Sequence, residues 1–169
     1  KLLVRPDKCE LFRKKVQFLG MAVTVGDSVA PLKERFRPLA ARKSPKTPKQ
    51  MKSCVCFLSY FRRFIKNFTI RTKRWFDLAN EKIPFNFNET DSKEISDLYD
   101  FLVSRASLKL FDPNEKVKIH VDASKEGIGG TLFCKKNRNF YPCGYFSRTL
   151  KKKESALSAF HLEALGLYS

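Results

Sequence analysis

The hydrophobic period of this chain switches from that of helices to that of strands near residue 116, and that switch constrains the fold more than any other feature of the sequence. From Pro48 to about residue 105 apolar residues recur at helical spacing, whereas from Lys116 to Ser147 they follow the period of strands. An α+β chain with a helical middle and a strand-rich end follows. Ahead of both, residues 15–25 (KVQFLGMAVTV) read as an extended apolar segment interrupted by Gly20. Gly26-Asp27-Ser28 marks a turn before VAPL, so a β-hairpin is expected there. Prolines 31, 38, 45 and 48 punctuate the stretch that follows, leaving room for one short helix around residues 33–42.

A helix is expected over 48–66. Thr47 can cap it, Pro48 suits its first position, and Gln50 stands three after Thr47 as a capping box requires. Projected around the helix axis, Met51, Cys54, Val55, Leu58 and Ile65 share one arc, extended by Phe57, Phe61 and Phe64. Lys49, Lys52, Ser59, Arg63 and Lys66 share another, which reads either as a solvated face or as a cationic stripe able to follow a phosphate backbone. Arg62 falls in the apolar arc, where it needs a partner. After a connecting stretch with the only tryptophan, Trp75, a second amphipathic helix is expected over about 89–105, capped by Asn88 and burying Ile95, Leu98, Tyr99 and Leu102. VKIHVDA, GIGGTLFC and FYPCGYFS then read as three antiparallel strands. A helix capped by Ser158 follows, with Phe160, Ala164 and Leu167 facing inward, giving the order β-β-β-α.

Charge narrows the function. Residues 1–75 carry 20 Lys or Arg against four Asp or Glu, the remainder 14 against 13, so nearly all of the formal net charge of +17 sits in the first half. Such asymmetry suits a segment that grips a polyanion, because each cation near a phosphate releases condensed counterions. No apolar run approaches the ~18–20 residues of a membrane span, and no signal-peptide pattern opens the chain. The expectation is an intracellular protein of the cytoplasm, of a virus-like particle or of the nucleus. The five cysteines, at 9, 54, 56, 134 and 143, show no C-x-x-C pair and read as reduced, mostly buried thiols. The chain begins without Met and stops inside a helical pattern, as a piece of something longer would.

Two carboxylates draw attention. Asp122 stands in a strand of apolar residues, where burial would cost several kcal/mol without a partner or a cation, and glycines 127, 129 and 130 leave space beside it. It reads either as a metal ligand or as the residue that ends its strand and caps the turn at Ser124. Glu163, early in the last helix, reads either as a second ligand or as an exposed acid favoured by the helix dipole. Carboxylates converging from a strand and a helix can hold Mg²⁺ for phosphodiester hydrolysis.

These strings carry a resemblance. DKCELFRKKVQFLGMAVT resembles the run that ends the palm of Ty3/gypsy-type reverse transcriptases, with Phe18, Leu19 and Gly20 where their primer-grip hairpin lies. PKTPKQMKSCVCFLSYFRRFIKNFT resembles their thumb helix, although the usual Phe-Leu-Gly before the aromatic run reads Cys54-Val55-Cys56 here. LKLFDPNEKVKIHVDASKEGIGGTLFC, then GYFSRTLKKKESALSAFHLEALGLYS, resembles the opening of their RNase H domain. The resemblance implies the end of the palm in 1–30, a helical thumb and connection in 31–111, and the N-terminal part of an RNase H-like domain in 112–169. It implies Asp122 and Glu163 as catalytic, Mg²⁺-binding residues of a two-metal site, whose other two aspartates belong beyond Ser169. It implies an RNA–DNA hybrid as partner, together with the rest of the Pol polyprotein and a protein surface covering the truncated RNase H half. The polymerase aspartates belong upstream of Lys1. The alternative is a domesticated, non-catalytic nucleic-acid or protein interaction module.

A salt titration separates nucleic-acid binding from a purely structural role. If Lys49, Lys52, Arg63 and Lys66 each meet a phosphate, the log–log slope of hybrid affinity against salt should be roughly −3 to −4. A flat dependence would leave the positive charge without a polyanionic partner.

Overall fold

The computed structural model describes residues 5, 9–36 and 44–168. Residues 37–42, over which the short helix was expected to continue, lie outside them; Lys33–Phe36 forms a 3-10 turn. The first sheet begins as a meander of β1 (Lys15–Phe18), β2 (Met21–Thr24) and β3 (Ser28–Pro31). The expected turn at Gly26-Asp27 joins β2 to β3, and one more strand than the expected hairpin is present because Leu19-Gly20 reverses the chain within the 15–25 segment. A two-residue strand, β4 (Leu108–Lys109), pairs antiparallel with β3 and completes the order β1-β2-β3-β4.

Four α-helices follow among the described residues: α1 (Pro48–Tyr60), α2 (Phe68–Ala79), α3 (Glu89–Ser104) and α4 (Ala159–Tyr168). The Thr47 hydroxyl accepts from the Gln50 amide at 3.3 Å, and Pro48 occupies the first turn. The helix ends six residues earlier than its apolar arc suggests. Phe61, at its C-cap, leads into a 3-10 turn over Arg62–Phe64, and Asn67 turns left-handed (φ 54°) to start α2. Phe61, Phe64, Ile65 and Phe68 are nonetheless all buried, so one apolar series serves two helices that pack on each other. Helix α2 went unforeseen, although Phe68, Thr72, Trp75, Leu78 and Ala79, all buried, already stand at helical spacing.

The core of this part is aromatic. Phe36 packs against Phe57 and Phe61 with ring centroids 5.5 and 4.8 Å away, and Met51, Leu58, Trp75, Leu98 and Leu102 fill the space between helices. One carboxylate is buried with them. Asp91, 4% exposed, accepts from the Trp75 indole at 3.0 Å, from Arg74 Nε at 3.2 Å and from the Asn88 amide at 3.2 Å, while the Asn88 side chain returns a cap to the Asp91 amide. The expected Asn88 cap is therefore a full capping box.

The second sheet, in the order β5-β6-β7, consists of β5 (Val117–Ala123), β6 (Gly127–Lys136) and β7 (Asn139–Thr149), all antiparallel. Asn137 and Arg138, both at positive φ, make the tight turn between β6 and β7. Helix α4 closes the expected β-β-β-α order, but a different face is inward. Leu162 and Gly166 are buried, whereas Phe160 and Leu167 are 76% and 78% exposed and Ala164 is exposed as well. Gly166 dictates this, for its missing side chain lets the helix approach Val121 and Ile128. Ser158 opens the helix through its carbonyl, while its hydroxyl hydrogen-bonds the His161 ring at 2.7 Å.

All five cysteines are free, with Cys54, Cys134 and Cys143 buried and Cys9 and Cys56 exposed. No described helix is long and apolar enough to cross a membrane. Replacing Asp91 by Ala should cost about 3 kcal/mol, because it leaves the buried indole N–H without an acceptor and removes the capping box. Urea unfolding would read this as a lower midpoint at unchanged slope; a loss under about 1 kcal/mol would show that the carboxylate contributes little beyond its cap.

Candidate nucleic-acid interface and carboxylate cleft

The β1–β2 turn consists of Leu19 (φ 48°) and Gly20 (φ 73°), flanked by the Phe18–Met21 pair. With positive φ at both central positions this is a type I′ hairpin turn, a conformation that glycine adopts freely and leucine at some cost. The Leu19 carbonyl is held from outside by the Tyr60 hydroxyl of α1, and Arg35 lies over Gly20. The side chains of Phe18 and Leu19 remain 63% and 65% exposed. The structure thus places all three predicted hairpin residues at one tip, pinned to the helical part.

The cationic residues are arranged otherwise than a single 48–66 helix would arrange them. Lys49 and Lys52 are exposed on α1, but Ser59 turns its hydroxyl back to the Val55 carbonyl at 2.8 Å. Arg63 lies on the 3-10 turn and Lys66 beyond it, both exposed. Arg62 finds its partner outside its own segment, where its guanidinium donates to the Ser147 carbonyl of β7 at 2.7 Å.

Lys66 belongs with Asp122. An open cleft of roughly 560 Å³ is lined by Lys66 and Asn67 from the α1–α2 connection and by His120, Asp122, Gly129 and Thr131 from the second sheet. Gly129 is required there because a side chain would meet the Asn67 amide oxygen. Asp122 pairs with Gly129 across the ladder and is exposed, so the burial cost expected from its apolar neighbours is not incurred. Nor does it cap the following turn; Ser124 does so itself, bonding the Glu126 amide and the Gly127 carbonyl. Neither Asp122 nor Glu163 has a side-chain hydrogen bond or ion pair among the described residues.

Strand alternation places Asp122 on the face opposite Val121, and Val121 is the residue against which Gly166 brings α4. Glu163 is exposed on α4 and is not among the residues lining the Asp122 cleft. The two acids thus come from elements that touch but do not share that cleft. Among the described residues no group of three or more His, Cys, Asp or Glu could hold a metal ion. The oxygen donors suit Mg²⁺, yet two carboxylates alone do not complete a two-ion site.

Gly166 tests the packing that places Glu163. A Cβ there would stand 2.5 Å from Val121 Cγ1. Overpacking costs ~1–3 kcal/mol, against a helix-propensity gain of up to ~1 kcal/mol. Gly166→Ala should therefore be about 1 kcal/mol less stable, lowering the thermal midpoint. Gly144→Ala, whose Cβ meets nothing within 4 Å, should leave it unchanged.

Known proteins share the fold and sequence pattern of this chain. Residues 87–169 match the family described as the RNase H-like domain found in reverse transcriptase. The chain is 28% identical over 167 residues to the retrovirus-related Pol polyprotein from transposon 412 of Drosophila melanogaster, covering 99% of this chain and 13% of that protein. It is 26% identical over 167 residues to the transposon Tf2-3 polyprotein of Schizosaccharomyces pombe, covering 98% of this chain and 12% of that one. In fold it is similar to the foamy viral protease-reverse transcriptase in complex with RNA/DNA hybrid (TM-score 0.73, 19% identity, 96% of this chain and 22% of that one). The same holds for the foamy viral protein in complex with double-stranded DNA (TM-score 0.73, 18% identity, 92% and 27%).

Proposed function

We propose that this chain, which belongs to the retroelement Pol polyproteins and carries an RNase H-like domain of the reverse-transcriptase family, guides an RNA–DNA duplex across its helical part toward a Mg²⁺-dependent site that cleaves the RNA strand. The observation carrying this reading is the cleft in which Lys66, from the cation-rich half, stands with Asp122. In this reading residues 1–30 end the palm and 31–111 form the thumb and connection. Residues 112–169 open the RNase H-like domain, and further carboxylates come from the rest of the polyprotein. Such a protein would work within the cell, in the cytoplasm or a virus-like particle.

Phe18, Leu19 and Gly20 would meet the duplex at the exposed hairpin tip, where an apolar surface suits a sugar or base edge. Lys49, Lys52, Arg63 and Lys66 would take phosphates, which position a duplex without reading its sequence. Asp122 and Glu163 would supply two of the metal's oxygen ligands. Once bound, the ion would activate a water and stabilise the leaving oxygen. The foamy viral protein to which the fold is similar was solved in complex with RNA/DNA hybrid, and this supports the choice of substrate.

In the complete protein, Asp122→Asn and Glu163→Gln should each lower RNA cleavage by at least roughly a hundredfold while leaving hybrid affinity within about twofold, since second-shell changes alone already cost 10–100-fold. Retained cleavage would overturn the assignment. The separation of Glu163 from the Asp122 cleft favours a second reading, a non-catalytic nucleic-acid-binding module. That reading predicts full hybrid binding with no cleavage even in the unmutated protein.

A further inference from the structure

The helical part and the second sheet meet in a seam that the proposed chemistry does not use. At its centre is Ser147 of β7, 2% exposed on a strand at the edge of its sheet. Its hydroxyl accepts from the Thr69 amide at 2.9 Å and donates to the Thr69 hydroxyl at 3.0 Å. Its carbonyl accepts from the Thr69 hydroxyl at 2.9 Å and from Arg62 at 2.7 Å. The Thr69 amide belongs to the first turn of α2, which has no partner within its own helix, so the sheet supplies what the helix lacks. Beside it the Asn67 side chain fills the space above Gly129, and Ile70 lies 3.3 Å from where a Gly127 Cβ would stand.

A second tie lies well away from the first. Asp27, in the β2–β3 turn, pairs with Lys109 of β4 and, at 3.6 Å, with Lys136 of β6, and Lys136 also donates to the Gly26 carbonyl at 2.9 Å. The Lys109 ammonium and the Ser28 hydroxyl hold the Asp27 carboxyl below its usual range. The hairpin tip is in turn held to α1 by Tyr60. From the tip to Asp122 the path therefore runs through α1, the buried aromatic core, α2 and the Ser147 seam, with a side-chain bond or buried packing at every joint.

We infer that this seam sets the register of cleavage: Arg62, Thr69 and Ser147 are positioning residues that fix how far from the end of the DNA primer the carboxylate cleft meets the RNA strand. This rests on the duplex-guiding reading above. Successive phosphates of one strand lie only ~3.4 Å apart along a duplex, so a few ångströms of play at the seam moves the cut by on the order of one nucleotide. Loss of the seam should broaden the cut positions without removing the cut, because none of the three residues lines the cleft.

The test uses the complete protein on an RNA–DNA hybrid with a recessed DNA 3′ end. The cut positions are mapped at single-nucleotide resolution, and hydrogen exchange is followed over residues 67–70. The double variant Arg62→Gln, Thr69→Val should exchange faster at these amides and spread its cuts by at least one nucleotide to either side, with total cleavage within about twofold of the unmutated protein. Thr69→Ser alone, which keeps the hydroxyl, should leave the narrow pattern intact. Faster exchange with an unchanged cut pattern would overturn this inference alone. Protected amides in an unmutated protein that makes no cut would overturn the duplex-cleaving reading and this inference with it.

Discussion

A buried carboxylate organises the helical half of this protein. Asp91 receives N–H bonds from a tryptophan, an arginine and the backbone of its own capping residue, and so joins the middle of α2 to the first turn of α3. A charge in such a place is tolerated only because its donors are arranged around it. With α2 fixed by Asp91, its N-terminus projects Asn67 and Thr69 toward the second sheet, and everything that lies between the cationic helix and Asp122 depends on that direction.

The two halves of the chain differ sharply in the charge they carry. The first half presents lysines and arginines on a frame of buried aromatics; the second presents an open sheet and the exposed acids Asp122 and Glu163 among others. Asp122 and Glu163 keep their ligand capacity, since no donor among the described residues competes for them, whereas Asp91 and Glu154 have theirs committed. Glu154 is held by Arg148 at 2.7 Å and by the Lys151 amide at 2.7 Å, and these bonds hold its carboxyl below the usual range. Placing Lys66 at the rim of the Asp122 cleft brings the two kinds of surface together without neutralising either.

Much of the fold was legible in the sequence wherever a local rule had a single outcome. The caps Thr47 and Asn88, the tight turns at Gly26-Asp27 and Asn137-Arg138, the three strands from Val117 onward and the helix over 89–104 all follow from side-chain chemistry within a few residues. The errors share one cause. The apolar series Phe61, Phe64, Ile65, Phe68 has the spacing of an uninterrupted helix, and only packing against the rest of the core makes it turn at Asn67. Likewise the inward face of α4 was assigned to its largest apolar residues, Phe160 and Leu167, when the closest approach is made by Gly166. Arg62, which had no place in a helical projection, is explained by a carbonyl 85 residues away.

The candidate site divides along the same line. Composition and spacing alone identified the cation-rich half and drew attention to the two carboxylates, because charge and patterning are properties of short segments; the hairpin tip at Phe18, Leu19 and Gly20 came from the family resemblance. Which of these meet was decided by tertiary structure. Lys66 leaves the stripe of α1 and joins Asp122, Ser59 turns inward, and Glu163 stands apart from the cleft. The physical reason is that a side chain's direction depends on where its helix ends and on what its strand packs against, and both are settled by burial of residues distant in the chain.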